Sequence, residues 1–508
     1  MNNNYIALTL GPITRVISLA KKTRGMWAAS YLFSYLAKQI IAPFKNKDRQ
    51  FILPYLAIEL FNEKSEAGTF PDRYIFQSKE GDFDLLGKQV DVVFNELAGK
   101  LCPANKKPEE VKTMLMQYFK VYFFETERKP ELPEREFVEE CERKMALLEQ
   151  RESFVPSIAD DEHYLSRLFN AEKKEMRIMN FLLQEAGIGK FKSIVEITSQ
   201  DDDENIQPKY PYQRYIAIVY ADGDSMGKAF ANVSKSGELS KKLYEFNKAA
   251  IATIKGYDGQ PIFIGGDDLF FFAPIFNPGK GSVFTLLDSL EGDFRKTLDN
   301  DCPASLSFGV SITYYKYPMS EAVRLAQELL DDAKGRYVQS DSIKKNNILF
   351  SVQKHSGHTR GALIHKGCAK TVSLFNQFAD KYSISKSEDD KDEANNGIFL
   401  RSVMHNLREH EPIILNAIND SNRLQNYFDN NYNEPVHDSY KGFFKDLKCL
   451  MLTAYYEYGQ EIEGLKPLMP PTADGMGRPE GYDAAYAAID LVYALLQFIH
   501  LVNSQRDV

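Results

Sequence analysis

The sequence predicts an α+β protein. Two ferredoxin-like units, sheets of β-α-β-β-α-β order also described as palm domains, are separated by a helical insert and followed by a helical C-terminal part. Three observations predict this. Residues 210–350 alternate short apolar runs with helical periodicity in that order. The opening Tyr5-Ile6-Ala7-Leu8 echoes Tyr215-Ile216-Ala217-Ile218 in identity and alternation. Residues 104–200 and those after 351 carry mostly helical patterning.

In the second unit an apolar strand at 215–220 precedes helical stretches near 226–233 and 239–254. Short strands at 261–264 and 269–273 flank Gly265-Gly266-Asp267-Asp268, a hairpin turn by its glycines, which accept positive φ without steric cost. A helix at 283–298, a strand at 305–313, a helix at 320–336 and a strand at 347–350 complete an antiparallel sheet with helices expected on one face. The first unit reads as a worn copy, with helices at 13–22 and 27–41, strands at 51–56 and 73–76, and a helix at 84–101. Its first strand ends in Thr9 and Leu10 rather than an acid, so it is not expected to hold metals. Helices at 109–126, 134–151 and 160–187 fill the insert, and Asp201-Asp-Asp-Glu204 reads as a solvated boundary. Polar residues 383–396 and the Pro/Gly-rich 465–481 read as loops. The domain limits that follow are 1–101, 102–207, 208–354 and 355–508.

A chain of 508 residues exceeds a single core, and 44% hydrophobic with 26% charged residues is the composition of a folded, multidomain, water-soluble protein. The net charge of −9 argues against wholesale coating of nucleic acid. Residues 1–50 nevertheless hold eight Lys/Arg against one acid, and Lys21, Lys22 and Arg24 form a basic cluster there that either meets RNA phosphates or is a solvated helix face. The five cysteines are scattered without a C-x-x-C, so neither a disulfide framework nor a thiolate zinc site is indicated, which favours a reducing cytoplasm. No signal peptide is read at the N-terminus, and no membrane partner is expected: Asp490 interrupts the apolar stretch 484–502, which reads as a buried helix.

The sharpest chemical signal is Tyr220-Ala-Asp222-Gly223-Asp224-Ser225-Met226-Gly227-Lys228 at a strand end, followed 45 residues after Asp222 by Asp267-Asp268. Neighbouring strands of the proposed sheet would bring Asp222, Asp267 and Asp268 together. Three carboxylates at one point repel, and a stable cluster of them implies a neutralising cation. Oxygen ligands select Mg²⁺ or Mn²⁺, ions that activate an attacking hydroxyl and clamp a triphosphate. Gly223, Gly227, Gly265 and Gly266 would let backbone N–H groups approach phosphate, with Asp224, Ser225 and Met226 in the same nucleotide-binding segment and Lys228 and Lys334 adding positive charge. An isolated Asp-Gly-Asp is an ordinary turn; coupled to Gly-Gly-Asp-Asp it reads as catalytic.

These residues resemble the large, polymerase-like subunit of type III CRISPR effector complexes, in its Cmr-type branch. The likeness also takes in Gly11-Pro-Ile13, Lys22-Thr-Arg24, Trp27-Ala-Ala-Ser30-Tyr31, residues 68–73, residues 305–310 with Gly309, and Ala333-Lys334. The resemblance implies two palm domains, only the second active. It implies partner subunits, crRNA and target RNA, and an RNA-activated nucleotidyltransferase that uses ATP and a divalent metal to make cyclic oligoadenylate. Asp222, Asp267 and Asp268 would coordinate the metal. No room is read ahead of Tyr5 for the HD nuclease domain many members carry, so DNA cleavage is expected absent. The family's cysteine-ligated zinc element is also missing. Some nuclease-less relatives attach AMP to S-adenosylmethionine instead, and the metal carboxylates do not distinguish the two acceptors.

Two further readings stand beside this one. Gly265-Gly-Asp-Asp-Leu-Phe270 alone would suit a stand-alone GGDEF-type or adenylate-cyclase-like enzyme. A silent scaffold capping a ribonucleoprotein would assemble without turnover, but gains nothing from concentrated negative charge. His437-Asp438 reads as a surface pair.

Overall fold

The computed structural model describes residues 3–11, 13–45, 49–56, 61, 64–103, 106–150, 168–170, 177–201, 203, 206–226, 236–298, 304–336, 345–354, 357, 359–383, 393–432, 441–461 and 483–503. Gly227, Lys228, His437-Asp438, the helical stretch expected after Met226, much of the acidic boundary and the stretch 465–481 lie outside these described residues.

The chain opens with strand β1 (Asn4–Gly11), whose residues 5–10 are all buried. Helices Ile13–Ser18 and Thr23–Ile41 lead to β2 (Phe51–Leu53) and β3 (Arg73–Gln77). Helices Asp82–Leu101 and Pro108–Tyr118 then lead to β4 (Lys120–Glu127). The four strands order as β2-β3-β1-β4, every pairing antiparallel. The expected helix over 109–126 is therefore corrected. It stops at Tyr118, and Val121-Tyr-Phe-Phe124, β-branched and aromatic, pairs with β1 instead. The sheet's outer strand comes from beyond residue 101, inside the stretch expected to be helical. Helix Glu134–Gln150 backs this sheet, where Phe137, Val138, Cys141 and Met145 pack with Tyr5, Ala7, Ile52 and Ile75.

The second sheet contains β5 (Tyr215–Asp224), β6 (Gln260–Gly265), β7 (Asp268–Pro274), β10 (Ser305–Tyr314), β11 (Asn347–Gln353) and β12 (Thr359–His365), with β8 (Phe276–Asn277) and β9 (Gly281–Ser282) forming a separate small hairpin. Its order is β12-β11-β10-β5-β7-β6, and the run β10-β5-β7-β6 repeats the order β4-β1-β3-β2 of the first sheet. The strands sharing the Tyr-Ile-Ala echo, β1 and β5, occupy equivalent positions. The sheet is mixed rather than purely antiparallel: helix Met319–Asp331 carries the chain from β10 to β11 and sets them parallel. Beyond 355 the chain is not wholly helical either, since β12 adds an edge strand before helices Ala369–Tyr382, Glu393–Glu409, Glu411–Ala417, Ser421–Asn431, Lys441–Glu461 and Ala484–Asn503.

Helices cover both faces of this sheet, not one. Ala217, Val219 and Ala221 of β5, with Phe271 and Val310, join the core that includes helix Val283–Leu298, whereas Ile216, Ile218, Phe270 and Phe272 share the core of helix Thr23–Ile41 and the first unit. Double burial explains why the strands read as nearly continuous apolar runs. Strand β10 shows the constraint most clearly. Leu306, Phe308, Val310 and Ile312 point into one core, while Ser307, Gly309, Ser311 and Thr313 turn small side chains to the other face. A Cβ on Gly309 would lie 2.2 Å from the Ala326 carbonyl oxygen and 2.3 Å from the Leu330 nitrogen, so helix Met319–Asp331 seats directly on the strand backbone. The apolar helix Ala484–Asn503 is long enough to cross a membrane by composition, but most of it is buried in the protein. Gln497 Nε2 donates to the Val352 carbonyl at 3.0 Å.

Gly309→Ala must push that helix off the sheet and should cost about 1–3 kcal/mol, the range for an overpacked core. Gly99→Ala, in a helix with open space around it, should instead gain about 0.5–1 kcal/mol. Urea unfolding of both variants checks the pair; equal midpoints would contradict the packing assigned to Gly309.

Candidate active site at the junction of the two sheets

Strand β5 delivers Asp222 to its last turn of ladder, opposite Ser307 of β10. The hairpin delivers the other two acids. Gly265 and Asp268 still pair across β6 and β7, so the connection is only two residues, Gly266 and Asp267, tighter than the four-residue turn expected. Gly266 has φ +64, as a first central residue of a II′ hairpin requires. Asn247 fixes this tip from the helix Ser236–Gly256. With its buried amide oriented to satisfy both groups, it donates to the Gly266 carbonyl at 2.8 Å and accepts from the Gly266 N–H at 3.0 Å.

The predicted convergence is found. Asp267 and Asp222 share a side-chain hydrogen bond, and Asp268 feels the charge of both. Gly223 makes the approach possible, because a Cβ there would sit 2.6 Å from Asp267 Cβ and 2.7 Å from its Oδ2. Loss of hydration, then the charge of Asp222, pushes the Asp267 carboxyl up to about 6. Crowding by protein and the charges of Asp267 and Asp222 raise Asp268 well above the usual carboxylate range, although the residue surface remains exposed at the lip of the site. Lys334, in the turn after helix Met319–Asp331, partly offsets this. Its ammonium pairs with Asp222 Oδ2 and donates to the Gly223 carbonyl at 3.3 Å. The sequence placed Lys334 on a triphosphate; the structure places it on the carboxylate.

Two of the expected nucleotide contacts are corrected at side-chain level. Asp224 is 1% exposed, and its Oδ2 accepts from Ser305 Oγ and Ser307 Oγ, both at 2.8 Å, and from the Asn346 N–H at 2.7 Å. It shapes the loop from inside. Met226 is likewise buried, in the apolar core. Ser225 adopts φ +59 and accepts from Lys345 Nζ at 3.1 Å. Behind this loop His365 Nδ1 meets Asn347 Oδ1 at 2.7 Å, and Asn347 Nδ2 donates to the carbonyl of Ala333, the neighbour of Lys334. Lys21 and Lys22 are exposed ahead of helix Thr23–Ile41, and Arg24 is half-buried in its first turn.

A cavity of about 810 Å³ opens between the two sheets beside these acids. Leu10 and Tyr122 line it from the first sheet and Tyr220, Asp268 and Phe270 from the second, with Tyr220 stacked on Phe270 at 4.1 Å and 10°. Its described charged lining is mostly acidic: Asp72, Glu149, Asp268 and Asp331 against Lys120. Burial raises the Asp72 carboxyl, and that carboxylate in turn acts on Asp268. Sequence reading missed Asp72. It precedes β3 as Asp267-Asp268 opens β7, so superposing the two repeats would have found it. Asn247, Ser305 and Lys345 carry no such signal, because only the fold brings them to the site.

A family model described as Cas10/Cmr2, second palm domain, matches residues 215–347, and one described as CRISPR-associated protein Cmr2, N-terminal, matches residues 5–117. The CRISPR system Cmr subunit Cmr2 of Pyrococcus furiosus is 23% identical over 176 residues, a match covering 28% of this chain and 19% of that protein. The chain thus spans about a fifth of the curated relative it matches. Among solved structures, a Csm1–Csm4 cassette in complex with cA3 aligns with TM-score 0.50 and 12% identity over 89% of this chain and 69% of that one. A type III-B Cmr-beta complex in its apo state gives 0.49 and 11% over 79% and 76%. The fold is shared with the first of these, and the two matched segments contain both the acidic hairpin and the strand echo. Residues 5–117 are thus recognised as a Cmr2-like N-terminal segment and residues 215–347 as a Cas10/Cmr2-type second palm domain, the likeness the sequence motifs had indicated.

Proposed function

We propose that this chain is the RNA-activated nucleotidyltransferase of a type III-B effector complex, transferring an adenylyl group from ATP to build a nucleotide second messenger. The first sheet is then an inactive palm and the second the active one. The observation that carries the reading is the meeting of Asp222, Asp267 and Asp268 at one strand end and one hairpin tip, at an electrostatic cost no structural role requires.

The donor set is all carboxylate, which suits Mg²⁺ or Mn²⁺, although among the described residues no group of three stands as a preformed metal cage. When bound, such an ion would supply charge neutralisation at the triphosphate and lower the pKa of an acceptor hydroxyl. The chain's own residues do the rest. Asp222, Asp267 and Asp268 present the oxygens, Lys334 holds Asp222 in place, and the buried Asp224 fixes the loop that carries Gly223. The acceptor hydroxyl attacks the α-phosphorus and pyrophosphate leaves.

The cavity between the sheets is the natural acceptor pocket, since Asp268 stands at its edge and Tyr220 and Phe270 offer an apolar wall to an adenine. Its acidic lining favours a cationic acceptor over a second triphosphate. S-adenosylmethionine, with a sulfonium and an ammonium, fits that chemistry better than ATP, and a cation would relieve the raised Asp72 carboxyl. Partner subunits, crRNA and target RNA complete the assembly in this reading.

The test is the reconstituted complex given ATP, S-adenosylmethionine and target RNA, with products analysed by mass. An adenylated S-adenosylmethionine is expected, falling at least about a hundredfold in Asp267→Asn/Asp268→Asn while assembly persists. Oligoadenylate alone would overturn the acceptor assignment, and undiminished synthesis in the double variant would overturn the site. Product from the isolated chain without RNA would favour the cyclase reading.

The acids also set a stability signature. Asp267 is held above its unfolded value of 3.8, so the folded state binds the extra proton between that value and about 6 and gains stability as pH falls through this window. Asp267→Asn should therefore raise Tm at neutral pH, with the gain fading below pH 6. Magnesium should raise the wild-type Tm more than the variant's. Thermal melts at several pH values, with and without the ion, check both signs.

A further inference from the structure

A second charged site lies at the other end of β11, built from bases. The turn joining β11 to β12 reads Lys354-His-Ser-Gly-His-Thr-Arg360, four basic or titratable residues in seven and no acid, in a chain whose net charge is −9. Gly357, at φ +82, tightens it by donating its N–H to the Lys354 carbonyl at 2.9 Å. Arg360 leaves the turn opposite Val352 and lays its guanidinium 5.1 Å from the Tyr493 ring centroid. One helical stretch further along the same C-terminal helix, His500 is 5% exposed and accepts from Arg401 Nε at 3.0 Å through its Nε2. The ring proton therefore sits on Nδ1.

Two donors of this cluster lack an acceptor. Arg360 Nε and His500 Nδ1 are buried and have no hydrogen-bond partner. Among the described residues no carboxylate pairs with Lys354, Arg360 or Arg401. Burial and the Arg401 charge hold the half-buried Lys354 ammonium below its usual value, and burial with the Lys354 and Arg401 charges brings His500 down to about 3. Outward from Arg401, helix Glu393–Glu409 continues the positive face with the exposed His405 and Arg408.

We propose that Lys354, Arg360, Arg401 and His500 form a binding site for a phosphate-bearing anion. Three cations and a neutral imidazole N–H exceed what one carboxylate can satisfy; the oxygens of a polyphosphate, or of successive phosphodiesters, match both the charge and the number of donors. Tyr493 supplies a face against which a base can stack. The site stands apart from the acidic junction and does not depend on the activity assigned there.

The full chain is titrated with a fluorescein-labelled single-stranded RNA of about 12 nucleotides and with inorganic pyrophosphate as competitor. Arg360→Gln/Arg401→Gln should weaken RNA binding about tenfold or more and flatten the salt dependence by about 0.7 log units per lost phosphate contact. Asp267→Asn/Asp268→Asn should bind as wild type. Competition by pyrophosphate identifies a free polyphosphate as ligand; binding of RNA without competition identifies a phosphodiester backbone. Lys354→Met provides the structural control. Removing a cation from mutual repulsion should leave Tm unchanged or raised while weakening binding. Unchanged affinity in the double variant, or a lowered Tm in Lys354→Met with binding intact, would assign these charges to the fold and overturn the site.

Discussion

Repulsion among like charges governs this molecule's chemical end. Asp222, Asp267 and Asp268 are forced together by two elements that have other reasons to exist, a central strand buried on both faces and a two-residue hairpin. Neither can yield without losing core contacts, so the acids cannot relax apart. Gly223 is the hinge of the arrangement, since any side chain there would occupy the space of the Asp267 carboxylate. Lys334 offsets part of the charge from the helix side, and the remainder shows as the raised carboxyls of Asp267 and Asp268. A fold selected for stability alone would have no use for that remainder.

What tolerates the cost is the shared core. Helix Thr23–Ile41 of the first unit packs in the same apolar cluster as Ile218 and Phe272 of the second sheet, so the two units are not beads on a string. The cavity lies at that joint, lined by Leu10 and Tyr122 of the first sheet and by Asp268 and Phe270 of the second. The first unit has no acidic pair of its own at the end of β1, yet it supplies Asp72 and half of the cavity wall. Its worn state is thus specific: the strand order persists while the charged strand end does not.

Legibility in the sequence followed the range of the interactions. The strand before Asp222, the hairpin and the helices at 283–298 and 320–336 were readable because periodicity and turn chemistry are local. Strand β4 was missed because its flanking glutamates and lysines resemble a charged helix, and only the free edge of β1 decides otherwise. The parallel pairing of β10 and β11 and the existence of β12 depend on where the C-terminal helices land, which no local pattern states. At the site, the three acids were found by spacing. The inward direction of the Asp224 and Met226 side chains was not legible, because alternation at a strand end says nothing of whether Ser305 and Ser307 wait on the next strand.

Strand β11 connects the two charged regions physically. At its first residue Asn347 ties the backbone beside Lys334 to His365, and seven residues on, past Gln353, the basic turn begins. A strand hydrogen-bonded on both sides transmits position well and energy poorly unless one of its ends has two arrangements. In the function proposed above, a divalent ion would compete with Lys334 for the oxygens of Asp222 and so give the acidic end two arrangements. The lysine leaves only if something else neutralises the carboxylate, and its departure would free the turn at 332–336, where Gly335 already sits at φ 125. The side chains packed around Asn347 and His365 are therefore the place where a change at the carboxylates would first be felt by the rest of the sheet.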